Sequence, residues 1–600
     1  IIPCVKKLKE IGRMLGKLKP FLAPYAFQLF VSVFMIVISI GAITAAPRIE
    51  GMITSRLAAD LADMASGAEG ARIHFEVIRN ILLVLLAIYL TKTVSQIVGS
   101  FCLTNSIQNA MHDLRNEVQN KIRRLPVRYF DTNSFGDVLS RVTNDVEAVS
   151  NALQQSFSQV ISGILTLILA LWMMFSINKL MACIAFLIIP VGALITRGIV
   201  RISQSQFKAQ QDSLGDMNGA ITELYTGYNE ILLFGQQEQS REQFEAVNDS
   251  LQKHAFKAQF LSSLMSPLIS LTTYLSIGVI AVIGCFAILA GTLSVGNLQA
   301  FIRYIWQVND PLTQVSQLSA QIQAAFAGLK RIFEILDEPE ETESAPAGLL
   351  PGPAKGEVTF EHVSFSYGDT PVIRDFNVTV KSGQMVAIVG PTGAGKTTLI
   401  NLLLRFYDVN SGRILVDGVD IRDMNREDLR SMFGMVLQDT WLFSGTIFDN
   451  IRYGNLSARK DEVIDAAKMA NVHHFIRTLP QGYNMVINEE GSNISQGEKQ
   501  LLTIARAILK NPQIMILDEA TSSVDTRLEK MLQSAMYTVL KDRTSFVIAH
   551  RLSTIKNADL ILVLRDGDIA EMGNHESLMA QNGFYSQLYN SQFAWGAEEA

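Results

Sequence analysis

Gly390-Pro391-Thr392-Gly393-Ala394-Gly395-Lys396-Thr397 stands directly after the apolar, β-branched run Met385 to Val389 and before a segment of helical pattern that begins near Thr397. Strand, glycine-rich loop and helix in that order form a phosphate cradle, because glycines let backbone N–H groups face an anion at a helix N-terminus. Within it Lys396 has the reach for β- and γ-phosphates, and Thr397, followed by Thr398, offers a hydroxyl to Mg²⁺. A second apolar run, Ile514 to Leu517, ends in Asp518-Glu519. Carboxylates at the carboxyl edge of a strand sit where ligands bind in α/β sheets. Asp518 is therefore read as a holder of the Mg²⁺ shell and Glu519 as the group that orients and deprotonates an attacking water.

Outward from these motifs the pattern stays α/β. Short runs such as Val358 to Phe360, Ser545 to Ile548 and Leu560 to Leu564 alternate with helical segments. Strands alternating with helices indicate a domain with a parallel sheet, placed at 357–592 with a tail at 593–600. Ahead of it the segment 336–356 is acidic and punctuated by Pro339, Pro346, Pro351 and Pro353, the composition of a linker.

The first half is chemically different. The chain of 600 residues is 48% hydrophobic and 18% charged, with a mean hydropathy of +0.22, a net charge of −6 and four widely spaced cysteines. These values exclude a disordered chain and a disulfide framework and give no bulk basic signal for nucleic acid. Four intervals, Pro24 to Pro47, Ala148 to Asn178, Leu180 to Thr196 and Ala258 to Ile302, lack Asp, Glu, Lys and Arg altogether. Each is long enough for a helix to cross a bilayer. With polar breaks they predict six spans near 25–47, 79–103, 155–177, 180–198, 266–290 and 296–317 inside a membrane domain at 25–335. The last interval is too long for one crossing, so the turn Gly291-Thr292-Leu293-Ser294 divides it.

Lys6, Lys7, Lys9, Arg13, Lys17 and Lys19 precede the first span, which places the segment 1–24 in the cytoplasm by the positive-inside tendency. Internal links at about 104–154 and 199–265 then read as long helices projecting from the membrane, whereas external links are one loop and two tight turns. Lys92, Arg303 and Asp310 are charges within spans and should face protein or water. Either they pair between helices, Lys92 with Asp310 for instance, or they line a polar substrate cavity with Gln96, Asn309 and Trp306.

The combined motifs resemble the ABC transporter family, and the resemblance covers nearly the whole chain. Asn493-Ile494-Ser495-Gln496-Gly497-Glu498-Lys499-Gln500 resembles its signature, with Ser495 and Gly497 as phosphate contacts. Gln438 is similar to the Q-loop glutamine that joins the Mg²⁺ shell, Asp525 in Ser523-Val524-Asp525 to the D-loop, His550 to the switch histidine, and Tyr367 to the adenine-stacking aromatic. Leu125 to Asp131, with Gly136-Asp137 and Ser140 to Asp145, and then Gly227 to Glu238, resemble the two coupling regions of the exporter branch. This resemblance implies a six-span helical bundle with cytoplasmic extensions followed by an α/β P-loop ATPase domain. It also implies ATP and Mg²⁺ as ligands, cytoplasmic ATPase chemistry, and a multi-pass protein of the bacterial plasma membrane.

One phosphate loop and one signature are half of what the family needs, because ATP lies between the loop of one ATPase domain and the signature of another. A second half-transporter is the implied partner. Here Gln496 and Glu498 stand where the family commonly has glycine and glutamine. That departure, beside intact Glu519 and His550, favours a heterodimer with unequal sites over a homodimer. The expected function is ATP-driven export of a hydrophobic or amphipathic drug, lipid or peptide, with membrane lipid as surroundings. An ATP-gated channel or regulatory membrane ATPase is the alternative, and an importer fits the fused order of domains less well.

Overall fold

The computed structural model describes residues 13–593 except 15, 68–71, 342–353, 438–439, 489–492, 519–525 and 550–551, with further side chains inside helices left aside. The chain divides into two compact units: residues 1–124 with 133–338, and residues 125–132 with 339–600.

The first unit is helical. Its long elements are α1 (Ala26–Ala65), α2 (Phe75–Ile122), α3 (Val146–Ile177), α4 (Ile188–Thr226), α5 (Gln237–Ser263), α6 (Met265–Leu289) and α7 (Val295–Asp337). Four helical stretches, Gly16–Ala65, Phe75–Ile122, Phe135–Ile177 and Gln237–Leu289, are long and apolar enough to cross a membrane. The two other expected spans also fall in helices. The segment 180–198 is divided between Lys179–Phe186 and α4. Pro190, which has no N–H to donate to the carbonyl four residues back, stands just after the break. The segment 296–317 lies within α7, and Ser294 caps that helix by accepting a hydrogen bond from Asn297 N at 3.2 Å. The internal links are helical too, since α2 runs on to Ile122 and α4 to Thr226.

Two features fix how α1 and α7 pack. Pro47 frees the Ile43 carbonyl from its place in the α1 ladder, and Gln307 Nε2 on α7 donates to that oxygen at 3.3 Å, while Tyr304 donates its hydroxyl to Thr44 O at 2.9 Å. Nearer the helix ends, a Cβ on Gly51 would lie 2.3 Å from Gly296 O, so only glycine permits this approach.

The second unit is built on a six-stranded sheet. Its strands are β1 (Val358–Tyr367), β2 (Thr370–Val380), β3 (Met385–Val389), β4 (Ser411–Val416), β5 (Phe433–Val436), β6 (Ile514–Asp518), β7 (Thr544–Ile548), β8 (Leu560–Arg565) and β9 (Asp568–Gly573). The main sheet has the order β9-β8-β3-β7-β6-β5, parallel throughout except at β9, and an antiparallel sheet is ordered β2-β1-β4 with Val419–Asp420 at its edge. Ala387, Val389, Met515 and Leu517 enter one apolar core, and their neighbours Val386, Ile388, Ile514 and Ile516 enter the other. Both faces of these strands are covered, which is why they read as unbroken apolar runs rather than alternating ones. This arrangement brings the ends of β3 and β6 to one edge, separated by β7.

Candidate functional site

The phosphate loop joins β3 to a helix at Lys396–Leu403, with Gly395 at its N-cap in the left-handed region, φ 98°. A Cβ on Gly395 would meet Ile373 Cδ1 at 2.7 Å, whereas Gly393, at φ 83°, faces open space. One glycine is thus demanded by packing and the other by its turn, and Pro391, Thr392 and Gly393 are exposed while Ala394 is buried. The Lys396 ammonium bends back over the loop and donates to Gly390 O at 2.8 Å and Pro391 O at 2.9 Å. Half-burial lowers the Lys396 pKa from its ordinary value, and the Asp518 carboxylate at the end of β6 opposes that shift. An ammonium resting on two carbonyls of a glycine-rich loop at a helix N-terminus, with a carboxylate in electrostatic range, is a set of groups that fits a nucleotide phosphate chain. Thr397 is exposed beside it, and Thr398 is buried in the helix.

Tyr367, at the end of β1, is 39% exposed and meets Phe365 and Tyr407 edge-on at 4.8 and 5.0 Å between ring centroids. Behind it opens a recess of about 1010 Å³ whose wall includes Arg128, Asp131, Tyr407 and Arg426. Arg128 and Asp131 come from the short helix Val127–Thr132, which groups with this unit although it lies between the helical segments in sequence. The Tyr407 hydroxyl donates to Asp131 Oδ2, and burial first, then that carboxylate, raises the phenol pKa. Nothing local in Arg405-Phe406-Tyr407-Asp408 distinguishes Tyr407, and the sequence reading missed it.

The signature residues open the helix Gln496–Lys510. Ser495 is its N-cap and forms a capping box with Glu498, whose Oε2 accepts from Ser495 N at 3.0 Å and from Ser495 Oγ at 2.7 Å. Gln496 is exposed and donates to Thr440 Oγ1 at 3.3 Å, and Gly497 is buried. The departure at Glu498 thus has a local consequence: the Ser495 hydroxyl proton is already committed to a carboxylate. Glu519, His550, Gln438 and Asp525 lie outside the described residues.

In the helical unit, Lys92, Gln96 and Asp310 share the wall of one cavity of about 500 Å³. Among the described residues no ion pair joins Lys92 to Asp310. Arg303 and Trp306 are not in that wall. Arg303 stands 3.8 Å from Glu50, which also accepts from the Tyr89 hydroxyl at 2.7 Å, and Trp306 meets Tyr274 edge-on at 5.3 Å. Asn309 is buried, with its Oδ1 unpaired among the described residues.

Comparison with known proteins agrees with this geometry. Residues 20–312 match the ABC transporter transmembrane region and residues 373–522 the ABC transporter model. The chain is 47% identical over 88% of its length to a fatty acid ABC transporter ATP-binding/permease protein of Mycobacterium tuberculosis, covering 84% of that protein. It is 36% identical to an ATP-dependent lipid A-core flippase of Syntrophus aciditrophicus, with 86% of each chain covered. A solved bacterial Atm1-family ABC exporter with ATP bound superposes with a TM-score of 0.75 at 28% identity, over 95% of this chain and 99% of that one. The chain belongs to the ABC transporter family as an exporter-type half-transporter, in which a membrane domain is fused ahead of the ATPase domain that drives it.

Proposed function

We propose that this chain exports a lipid-like amphiphile from the cytoplasmic leaflet of a bacterial plasma membrane, as one half of a dimer with the ATPase domains in the cytoplasm. The observation that carries the reading is that a charged cavity in the membrane helices and a phosphate loop belong to one chain whose helices run on beyond the apolar spans. Two relatives support the choice of cargo, since fatty acid and lipid A-core both denote acyl-chain amphiphiles.

In this reading ATP is the substrate. Lys396 and the loop amides hold its phosphates, Tyr367 stacks on its base, and Thr397, Gln438 and Asp518 hold Mg²⁺. The ion supplies charge neutralisation at the reacting phosphate. Glu519 orients and deprotonates the attacking water, His550 holds the reacting phosphate, and Asp525 adjusts the facing domain. A second chain is needed because the signature helix serves the nucleotide of its partner. The apolar cluster at the second internal bend, with Tyr225 81%, Leu233 79% and Phe234 70% exposed, supports a partner surface there. A heterodimer is favoured because Glu498 occupies the hydroxyl of Ser495, leaving this chain's signature poorer for an anion than its phosphate loop.

Inside-out vesicles carrying the chain, alone or with a second half-transporter, should accumulate labelled acyl amphiphile only with ATP. Glu519→Gln should lower turnover by at least about 100-fold while ATP remains bound. Ion conductance without amphiphile movement would favour the channel reading, and near-normal hydrolysis in Glu519→Gln would remove that residue from its role. A stable homodimer with amphiphile-stimulated ATPase activity would refute the heterodimer.

A further inference from the structure

Four helices meet around the Lys92 cavity, three of them through residues at helical spacing. Lys92 and Gln96 stand one turn apart on α2, Ser158 and Ser162 one turn apart on α3, and Asp310 faces them from α7. The rest of the wall is Ile36, Ile40 and Ile43 on α1, with Ser39 among them, and Gly99, Ser100 and Leu103 on α2. The three isoleucines give the cavity an aliphatic patch beside its polar groups, the two chemistries that an amphiphile itself carries. At about 500 Å³ it lies within the usual size of small-molecule sites.

Lys92 is about 25 Å along α2 from its start at Phe75, deep in the apolar stretch. Its backbone carbonyl accepts from Ser39 Oγ at 3.3 Å, but among the described residues no carboxylate lies within 4 Å of its ammonium. Asp310, by contrast, is engaged in an interaction of its own. A cation at this depth without an ion-pair partner is costly and marks a ligand path. The hydroxyls of Ser158 and Ser162 and the Gln96 amide supply further polar contacts beside it.

We infer that Lys92 receives the anionic headgroup of the exported amphiphile, a carboxylate or a phosphate, while the first part of its tail lies against Ile36, Ile40 and Ile43. The inference rests on the export reading and names the class of cargo for it. A charge-assisted contact between Lys92 and the headgroup gives preference for anionic over neutral or cationic amphiphiles of equal chain length, and the isoleucine stripe is indifferent to headgroup.

The test is binding to the full-length chain in nanodiscs of uncharged lipid without nucleotide. Radiolabelled dodecanoate is the probe, competed by dodecyl phosphate, dodecanol and dodecyltrimethylammonium. Lys92→Met should weaken dodecanoate and dodecyl phosphate by about 10- to 100-fold and leave dodecanol unchanged, while Lys92→Arg keeps anion affinity within a few-fold. Asp310→Asn, which removes the acid facing the headgroup, should tighten dodecanoate several-fold, and it serves as the independent variant if Lys92→Met fails to fold. Retention of only one of the two anions identifies the headgroup source as carboxylate or phosphate. Wild-type dodecanoate affinity in Lys92→Met, equal loss of dodecanol, or unchanged affinity in Asp310→Asn overturns the inference. A chain that binds dodecanoate through Lys92 yet moves no amphiphile with ATP refutes the export reading instead.

Discussion

Removing either partner of the Arg331–Asp145 pair should destabilise the helical unit by unequal amounts. Asp145 closes the π-helical turn Arg141–Asp145 that follows the first internal extension, and Arg331 lies on the last turns of α7. Arg331 Nε donates to Asp145 Oδ2 at 2.7 Å and its Nη2 donates to Oδ1, a two-pronged contact that raises the guanidinium pKa. The Asp145 side chain is 7% exposed and that of Arg331 47%. Arg331→Ala therefore strands a carboxylate that water barely reaches. Such losses cost about 3–5 kcal/mol when burial is complete, and partial access through the arginine side lowers the expectation to about 2–3 kcal/mol. Asp145→Ala leaves a guanidinium that turns to solvent, so its cost should be about 1 kcal/mol, on the scale of exposed pairs. The double variant should lie below the sum of the singles, because it buries no charge. Thermal unfolding in nanodiscs, with proteolysis near residue 141 as a local readout, measures all four proteins, and Arg331→Ala should melt roughly 5 °C below wild type. Equal costs for the two single variants, or strict additivity in the double, would refute the reasoning that burial of one partner sets the magnitude.

Two further outcomes follow from local geometry. Glu498→Gln keeps a capping side chain for Ser495 but removes the negative charge that holds its hydroxyl, so ATP-dependent association of the ATPase domains should strengthen several-fold; unchanged association in analytical ultracentrifugation would count against the carboxylate as an obstacle. At the far end of α1, the Asp60 carboxylate accepts from His74 N at 2.9 Å and pairs with Arg56 Nε at 3.1 Å, and the His74 amide, against opposing burial, holds its pKa below the ordinary value. A lowered folded pKa means that stability is present above the unfolded value of about 4 and is lost as pH falls through the folded one. Asp60→Asn should lower stability at neutral pH and flatten that acid limb, and an identical pH slope in the variant would exclude Asp60 as its source.

How much of this was legible from sequence depended on the range of the interactions involved. The phosphate loop and the Asp518 edge were legible because the chemistry is local: a glycine run and a strand-end carboxylate need only their neighbours in the chain. Lys92, Gln96 and Asp310 were legible as charges or amides in apolar stretches and as candidates for one polar cavity, but the sequence left that cavity and a Lys92–Asp310 ion pair both open, since the choice depends on how α2 and α7 turn their faces. The same limit hid that Arg303 and Trp306 lie outside that wall: seven and four residues before Asp310 they share its side of α7, but they stand about 10 and 6 Å away along the helix axis, where Arg303 nears Glu50 and Trp306 meets Tyr274.

Tyr407 shows the limit most clearly. Its hydroxyl reaches Asp131 across a gap in sequence of 276 residues, and its ring touches that of Tyr367. No motif spans such a distance, yet the consequence is direct, because the helix Val127–Thr132 is built into the same compact unit as the α/β sheets while its flanking chain belongs to the helical one. The chain enters and leaves that short helix at two junctions near residues 124 and 133. The Asp145 carboxylate is in turn held by Arg331 on α7, the helix that carries Asp310. Tyr407 and Asp131 thus tie distant stretches of sequence within one unit as Arg331 and Asp145 do within the other, and in both the pairing is set by tertiary packing that no local motif encodes.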